Sequence, residues 1–266
     1  MAGKVKVVVA GALGKMGLET LKAVLRDSDL ELVGAVDVKA RGEAVAALTG
    51  DADCGLVLGG DLETIIKETT PDVLIDFTNP QAVFNNAKTA LKNHVYSVIG
   101  TTGLNEVELK QLEKLALEKK IGVAVIPNFA IGAVLMMKFA REAARYFPDV
   151  EIIELHHDQK MDAPSGTAIK TAEMIAGNRA SRPPKNIKEF EKLAGARGGE
   201  IEQIRIHSIR LPGLIAHQEV LFGAPGQSLK IRHDSMDRAA FMPGVVMVVK
   251  AIMQREGLIY GMENLI

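Results

Sequence analysis

The sequence lacks the features that mark secreted, membrane-spanning and nucleic-acid-binding proteins. Its 266 residues include one cysteine, Cys54, so no disulfide can form within the chain, which is typical of a reducing compartment. The formal net charge is −1, which gives no field favouring nucleic acid or an anionic membrane. There is no apolar run of the roughly 18 residues that a membrane span needs, and no signal-peptide pattern. We therefore expect a cytoplasmic protein that binds a small molecule.

The first half of the sequence alternates between strand and helix patterns. Short apolar runs rich in β-branched residues occur at residues 5–10, 31–37, 72–77, 95–99 and 121–126, with helix-like segments between them. Strands separated by helices predict a doubly wound parallel sheet of the Rossmann type, and their near-continuous apolar character indicates burial on both faces. Asn105, with Glu108 three positions later, predicts a capping box at the start of one helix.

The pattern of the sequence changes after Phe129. Helices are predicted over 133–147 and from Ser165, with a strand over 150–155 before the second one, and the polar segment 178–196 is expected at the surface. Strands are predicted at 201–210, 215–222 and 228–233, joined by hairpin-type turns. The apolar helix over 238–254 is assigned to the first unit, because a three-stranded unit has little room for it. We therefore predict an α/β protein in which residues 1–128 with 239–266 bind a dinucleotide. A second, α+β domain over 129–238, with a mostly antiparallel sheet, would bind substrate and form the oligomer.

The turn after the first strand is typical of a dinucleotide-binding site. Gly11, Gly14 and Gly17 have the spacing G-x-x-G-x-x-G, one residue longer than the common fingerprint. Gly11 permits a sharp turn, Gly14 lets the backbone approach a pyrophosphate, and Gly17 permits close helix–strand packing. Asp37 closes the next strand, where an acid accepts hydrogen bonds from the adenosine ribose. A plain β–α turn beside a surface aspartate is the alternative that these residues leave open.

The second half contains titratable side chains just before a helix start. His156, His157 and Lys160 are followed by Pro-Ser-Gly-Thr at 164–167. Imidazole and ammonium groups can act as proton donors, and the N–H groups of a helix start bind carboxylate or phosphate. This pattern favours an enzyme that protonates an anionic substrate, and a polar surface loop with an ordinary helix cap is the alternative. A zinc site is disfavoured, because adjacent ligands on a strand diverge and no matching Cys/His pair occurs.

Five segments together resemble one enzyme family. They are Val-Ala-Gly-Ala-Leu-Gly-Lys-Met-Gly at 9–17, Asp-Phe-Thr at 76–78, Gly-Thr-Thr-Gly at 100–103, Pro-Asn-Phe at 127–129 and Glu-Leu-His-His-Asp-Gln-Lys-Met-Asp-Ala-Pro-Ser-Gly-Thr-Ala at 154–168. In this order they resemble the 4-hydroxy-tetrahydrodipicolinate reductases, formerly called dihydrodipicolinate reductases, of bacterial lysine and diaminopimelate biosynthesis. The similarity runs essentially end to end.

The resemblance implies a homotetrameric oxidoreductase that uses NADH or NADPH to reduce (2S,4S)-4-hydroxy-2,3,4,5-tetrahydrodipicolinate to tetrahydrodipicolinate. It implies His156 as the proton donor and Lys160 as a second donor or polarising cation. The implied substrate ligands are His157, Gly166 and Thr167. The implied cofactor-binding residues are Gly11, Ala12, Leu13, Gly14, Lys15, Met16, Asp37, Gly100, Thr101, Thr102, Ile126, Pro127, Asn128 and Phe129. No metal ion is expected.

One position departs from the family's pattern. Many members carry an arginine directly after the ribose-binding acid, where it can meet an adenosine 2′-phosphate, whereas this chain has Val38. Lys39 and Arg41 are close enough in sequence to take over that role. We predict that both cofactors are used, with NADH equal to or better than NADPH.

Two other functions share part of the pattern. A dehydrogenase of an aspartate-family amino acid could share the nucleotide half, but it has no need for the arrangement of His156, His157 and Lys160 before a helix start. A non-catalytic dinucleotide sensor would keep Gly11 to Gly17 and Asp37 without these titratable groups. Their presence favours the reductase.

Overall fold

The computed structural model describes residues 3–181 and 190–265, which form two compact units. One unit comprises Met1–Phe129 with Phe241–Ile266, and the other comprises Ala130–Ala240. The boundaries predicted from the sequence, after residues 128 and 238, fall one and two residues earlier. Residues 182–189, part of the predicted surface segment, lie outside the described residues.

Strands and helices are labelled in chain order. The strands are β1 (Val5–Ala10), β2 (Leu30–Val36), β3 (Val73–Asp76), β4 (Tyr96–Ile99), β5 (Gly122–Val125), β6 (Asp149–His156), β7 (Gly199–Ile201), β8 (Ile204–Arg210), β9 (Ala216–Ala224), β10 (Gln227–Ser235) and β11 (Gly257–Tyr260). The helices are α1 (Lys15–Arg26), α2 (Val45–Thr49), α3 (Leu62–Thr69), α4 (Val83–Lys92), α5 (Glu106–Lys119), α6 (Ile131–Ala143), α7 (Gly166–Ala176) and α8 (Met242–Ile252).

The first unit is built on a six-stranded parallel sheet in the order β11-β5-β4-β3-β1-β2. Most residues of its inner strands are apolar and buried, as expected for a parallel sheet covered by helices on both faces; all four residues of β5 are buried, for example. Helices α4 and α5 pack through a core that includes Leu91, Ile99 and Leu112, while α8 packs against α1, β4 and β5. The predicted doubly wound parallel sheet is confirmed, but α2 and the edge strand β11 were not predicted.

The second unit contains a five-stranded mixed sheet in the order β10-β9-β6-β8-β7. Three of its four pairings are antiparallel and one, between β6 and β8, is parallel. Helices α6 and α7 cover the face on which Val150 and Ile152 are buried. The mostly antiparallel character is as predicted.

Two details of the strand prediction were wrong. The strand expected over residues 201–210 is two strands, because Glu202 and Gln203 take positive φ angles of 48° and 61° and reverse the chain. The turn at Pro212-Gly213 does not join a hairpin, because β8 and β9 lie on opposite sides of β6. The turn between β9 and β10 does join a hairpin.

The starts of three helices follow their local sequence. Asn105 forms the predicted capping box with Glu108 at the start of α5. Asp61 caps α3 by accepting a hydrogen bond from the Thr64 N–H, and Ser165 caps α7 in the same way from the Ala168 N–H. Among residues 3–181 and 190–265, no helix has the length and apolar character to cross a membrane.

Candidate active site

Two of the three glycines in the segment from the β1–α1 turn into the first turn of α1 cannot be replaced without a clash. Gly11 has a φ of +80°, and a Cβ there would lie 2.4 Å from the Phe77 carbonyl oxygen. A Cβ on Gly17 would lie 2.0 Å from the Gly11 carbonyl oxygen, so the first turn of α1 packs directly on the preceding loop. Within the described chain no side chain caps α1, and its first turn holds no acid. Such a helix start suits an anion.

Asp37 directly follows β2 and connects the glycine turn to the loop after that strand. Its Oδ2 accepts a hydrogen bond of 3.1 Å from the Leu13 N–H, and its Oδ1 accepts one of 2.9 Å from the Lys39 N–H. Each carboxylate oxygen has a second lone pair. The carboxylate is thereby oriented with one acceptor site on each oxygen for a vicinal diol such as a ribose.

A cavity of about 440 Å³ adjoins the glycine turn within the first unit. Its volume falls in the usual range of small-molecule sites. Of the residues predicted to bind the cofactor, Gly11, Leu13, Gly14 and Asp37 line it. The lining also includes residues that the sequence reasoning did not single out, among them Asp61, Glu63, Asn79 and Asn85. Ligands of parallel sheets bind beyond the carboxyl ends of the strands, and Asn79 lies in the loop that follows β3. This rule therefore indicates that loop as part of the site.

The remaining predicted cofactor residues lie outside the lining of that cavity. Ala12 belongs to the glycine turn, Lys15 and Met16 open α1, Gly100, Thr101 and Thr102 follow β4, and Ile126, Pro127, Asn128 and Phe129 follow β5. Phe77 brings the last two groups together. A Cβ on Gly100 would lie 2.1 Å from the Phe77 ring, and the ring centroids of Phe77 and Phe129 are 5.6 Å apart.

Asp76 fastens these strand ends to one another. It is fully buried at the end of β3, and its Oδ1 accepts hydrogen bonds from the hydroxyls of Thr78 at 2.7 Å and Thr101 at 2.9 Å. Its Oδ2 accepts a hydrogen bond of 2.8 Å from the Asn86 side chain. Because Thr78 and Asn86 both line the cavity, Asp76 fixes the cavity wall relative to the loop after β4.

In the second unit, the central strand β6 carries a buried acid next to a predicted catalytic residue. Every second residue of the strand, namely Val150, Ile152 and Glu154, lies on the covered face, and Glu154 is fully buried there. Its Oε2 lies 2.5 Å from Nδ1 of His156, the last residue of the strand. The imidazole of His156 is 16% exposed, so Nδ1 is engaged while the ring still reaches the surface.

Arg210, at the end of β8, balances the buried charge of Glu154. Its two terminal nitrogens donate hydrogen bonds of 2.9 and 2.8 Å to the two carboxylate oxygens. Burial raises the pKa of Glu154, but hydrogen bonds from His156, Arg210 and Ser208 lower it by more. The resulting pKa is about 2, against an ordinary value of 4.5. Glu154 is therefore a carboxylate at neutral pH.

The loop after β6 carries the other predicted titratable groups. His157 follows the strand and is half-buried, and its carbonyl accepts a hydrogen bond of 3.2 Å from the Lys160 N–H. The Lys160 ammonium contacts both carboxylate oxygens of Asp162, at 2.6 and 2.8 Å. This hydrogen bond lowers the pKa of Asp162 below its ordinary value. A nitrogen of Arg210 donates to the Asp162 carbonyl at 2.8 Å and so anchors the loop to β8.

The start of α7 is connected to the same acid. The Ser165 N–H donates a hydrogen bond of 3.2 Å to Oε1 of Glu154, while its hydroxyl caps the helix. Gly166 and Thr167, the predicted carboxylate ligands, occupy the first positions of α7. A Cβ on Gly166 would meet no described atom within 4 Å, so a ligand can approach the helix N–H groups here.

The structure thus links His156, the loop bearing Lys160 and the helix start bearing Gly166 and Thr167 through Glu154 and Arg210. Neither of these two residues was predicted to have a role. Glu154 could have been found from its position on the buried face of an amphipathic strand, where an unpaired carboxylate is costly. Arg210 lies 56 residues away, and nothing in its local sequence indicates the contact. The described residues contain no group of three or more His, Cys, Asp or Glu side chains that could hold a metal ion.

Comparison with protein families gives a match to nearly the whole chain. A family model described as "Dihydrodipicolinate reductase, N-terminus" matches residues 5–129, and one described as "Dihydrodipicolinate reductase, C-terminus" matches residues 132–266. A 4-hydroxy-tetrahydrodipicolinate reductase of Syntrophomonas wolfei subsp. wolfei is 71% identical over 266 residues, covering 100% of both chains. The enzyme of that name from Listeria innocua serovar 6a is 51% identical and covers 98% of this chain and 99% of its own.

Solved structures agree with this match. A structure described as "Dipicolinate bound Dihydrodipicolinate reductase from Paenisporosarcina sp. TG-14" has 48% identity and a TM-score of 0.88, covering 99% of this chain and 100% of that one. A more distant structure, GenD2 from gentamicin A biosynthesis in complex with NAD, has 14% identity and a TM-score of 0.64 and covers 95% and 87% of the two chains. That likeness concerns the fold alone.

Proposed function

The chain belongs to the dihydrodipicolinate reductase family, and on that premise we propose that it catalyses the reduction of (2S,4S)-4-hydroxy-2,3,4,5-tetrahydrodipicolinate to tetrahydrodipicolinate. The resemblance found in five sequence segments is confirmed by the full-length matches, and the chain is an oxidoreductase. The reaction consumes one reduced nicotinamide cofactor and one proton and releases water. It belongs to lysine and diaminopimelate biosynthesis, which fits a location in the cytoplasm.

The first unit has the groups that a nicotinamide dinucleotide requires. The uncapped start of α1 and the glycine turn suit the pyrophosphate, and the oriented Asp37 carboxylate suits the adenosine ribose. Gly100 to Thr102 and Ile126 to Phe129 would border the nicotinamide half. When bound, the cofactor supplies a hydride.

The second unit supplies the proton and the ligands for the substrate carboxylates. His156 would donate the proton from Nε2, since its Nδ1 is engaged by Glu154. Lys160 would act as a second donor or polarising cation, and His157 as a substrate ligand. The N–H groups of Gly166 and Thr167, with the Thr167 hydroxyl, would bind a carboxylate. One observation carries the proposal: a buried carboxylate joins the imidazole of His156 to the helix start at Ser165. A dinucleotide sensor has no use for that arrangement.

We propose that NADH is used at least as well as NADPH. Four charged residues line the cavity beside the glycine turn: Asp37, Lys39, Asp61 and Glu63. Three carboxylates against one ammonium group disfavour a 2′-phosphate, and Val38, which is 79% exposed, adds no charge. Lys39 remains the group through which NADPH would gain affinity. That gain should be sensitive to salt because the cavity is open to solvent.

The test is oxidation of NADH or NADPH by the purified protein when the fresh condensation product of pyruvate and aspartate semialdehyde is added. We expect turnover with both cofactors and inhibition by dipicolinate, the ligand of the Paenisporosarcina relative. An absence of turnover with both cofactors would disprove the proposed reaction. Light scattering on the same sample tests the proposed homotetramer, which a monomer or dimer would contradict.

Replacement of the two proposed donors is the sharper test. His156→Ala and Lys160→Ala should each lower kcat by about 100-fold or more, because general acid catalysis contributes effects of that size. The dissociation constant of NADH should stay within about threefold of the parent value, since neither residue belongs to the nucleotide unit. His94→Ala, which replaces a histidine at a turn of the nucleotide unit, is the control and should leave kcat unchanged. Near-normal turnover of both donor variants would contradict the assignment.

A further inference from the structure

We propose that Glu154 and Arg210 form a positioning pair that holds His156 for proton transfer and connects it to the carboxylate-binding start of α7. The inference rests on the proposed function, because it gives these residues a part in that reaction. Neither is taken to touch the substrate. They are positioning residues that act through His156 and Ser165.

Donors from three segments of the chain meet at the Glu154 carboxylate, and a fourth segment is bound through Arg210. Glu154 accepts from Nδ1 of His156 on its own strand, from two nitrogens of Arg210 on β8, and from the Ser165 N–H ahead of α7. Arg210 also donates to the carbonyl of Asp162, in the loop that carries Lys160. A shift of the Glu154 carboxylate would therefore disturb the proton donor, the Lys160 loop and the helix start together.

The chemistry gives the contact with His156 a defined consequence. A carboxylate at Nδ1 keeps the proton of a neutral imidazole on that nitrogen, so a second proton must reside on Nε2. When Nε2 releases its proton, the ring remains bonded through Nδ1 and keeps its orientation. The ring is then set for reprotonation and another turnover.

Arg210 explains how a carboxylate can serve in this place. A buried ionised acid without a partner is strongly disfavoured and would take up a proton, after which one of its two oxygens would be a donor and no longer an acceptor. The two parallel hydrogen bonds from the guanidinium hold the charge of Glu154 while leaving it able to accept from His156. The pair therefore presents a fixed acceptor oxygen to Nδ1 of the His156 imidazole.

The chain offers a matched control. Glu151, three residues earlier on β6, also pairs with a histidine and an arginine: its Oε2 lies 2.8 Å from Nε2 of His207, and Arg197 donates to its Oε1. Alternation along the strand places Glu151 on the face opposite Glu154. Glu151→Gln removes the same chemical group from the same strand without touching His156.

The first measurement compares kcat of Glu154→Gln with kcat of Glu151→Gln. We expect kcat of Glu154→Gln to fall by about tenfold or more while the KM for NADH changes by less than threefold, and kcat of Glu151→Gln to stay within twofold of the parent. The double variant that combines Glu154→Gln with His156→Ala distinguishes a positioning role of Glu154 from a general effect on the structure. In that background Glu154→Gln should cost less than twofold, because its partner is already missing. An equal further loss there would show that Glu154 acts structurally and would overturn the inference.

The second measurement does not depend on turnover. In the parent protein, the Nδ1 proton of His156 should give a proton NMR resonance downfield of the amide region. This resonance should vanish in His156→Ala, which assigns it, and also in Glu154→Gln, but persist in Glu151→Gln. Its survival in Glu154→Gln would overturn the pairing even if the proposed reaction holds.

If Glu154→Gln does not fold, Arg210→Lys replaces it. That variant keeps the cation but loses the paired hydrogen bonds, so kcat should fall at least threefold, and parental kcat would overturn the inference.

Discussion

At the scale of single residues, the proposed grip on a substrate carboxylate divides into two kinds of donor. The N–H groups at the start of α7 belong to the backbone and survive any side-chain replacement. The hydroxyl of Thr167 is the part that a substitution can remove. Its contribution can therefore be measured without dismantling the helix start.

Thr167→Val should raise the KM for the substrate and weaken inhibition by dipicolinate. Valine keeps the shape of threonine, and a hydrogen bond to a charged group contributes roughly 1.5–3 kcal/mol, or about 10- to 150-fold in affinity. Thr171→Val is the control, since the Thr171 hydroxyl donates to the Thr167 carbonyl at 2.7 Å one turn further along α7. It should alter stability but not inhibitor affinity. Unchanged inhibition of Thr167→Val would mean that the hydroxyl takes no part in binding the ligand.

Val38→Arg should shift the cofactor preference towards NADPH, because a guanidinium can bind a phosphate through two hydrogen bonds. Glu63→Gln should shift it in the same direction but less, since it removes a negative charge from the cavity lining without adding a ligand. The measurement is kcat/KM for both cofactors at two ionic strengths, with the NADPH values more sensitive to salt. A parent protein that strongly prefers NADPH at physiological salt would show that Lys39 or Arg41 outweighs Asp37.

At the scale of secondary-structure elements, the contact of α1 with the preceding loop sets the position of the pyrophosphate site. Gly17→Ala should force α1 away from Gly11, because the new Cβ would lie 2.0 Å from a backbone oxygen that cannot rotate aside. Overpacking of this kind costs about 1–3 kcal/mol. We expect a lower Tm and a dissociation constant for NADH raised about tenfold, as measured by thermal melting and fluorescence titration.

The control for this variant is Gly55→Ala. A Cβ on Gly55 would meet no described atom within 4 Å, so the substitution introduces no clash. Its Tm and NADH affinity should match those of the parent. If Gly17→Ala also behaves like the parent, the close contact between the helix and the loop is not needed for cofactor binding.

Only part of the arrangement of strands and helices could be predicted from the sequence. The doubly wound sheet, the glycine turn and the capping box of Asn105 follow from local periodicity and composition. The reversal at Glu202 and Gln203 does not, because neither residue is one of the usual formers of a left-handed turn. The insertion of β6 between β8 and β9 depends on pairing between distant segments, which the local hydrophobic pattern of the sequence does not predict. The Glu154–Arg210 contact was missed for that reason, whereas His156 and Lys160 could be proposed as proton donors because they lie four residues apart in the sequence.

At the scale of the whole molecule, the free energy of unfolding should depend on pH in the acidic range. The pKa of Glu154 is lowered from 4.5 to about 2 in the folded protein, so its contribution is fully present above pH 4.5 and is lost as the pH falls towards 2. A difference of that size corresponds to about 3 kcal/mol. Glu151, Asp162 and Asp234, all in the second unit, have pKa values lowered in the same direction.

Urea unfolding at pH 7, 4.5 and 3 checks this expectation. The free energy of unfolding of the second unit should decrease between pH 4.5 and pH 3 as the carboxylates are protonated. It should also decrease between pH 7 and pH 4.5, because burial lowers the pKa of His233 in the same unit. Constant ionic strength keeps salt screening of surface charges out of the comparison. A free energy that stays level down to pH 2.5 would contradict the assignment of Glu154 as a paired carboxylate.

The strands that lead into the two functional turns both lie inside their sheets. β1 runs between β2 and β3, and β6 runs between β8 and β9. Their amide protons should therefore exchange with solvent only when a whole unit opens, whereas amides in the loop of Lys160 should exchange through local fluctuation. In deuterium exchange, a slow core next to a fast loop should mark each site. After minutes of labelling, the amides of β6 should retain hydrogen as far as His156, the last residue of the strand.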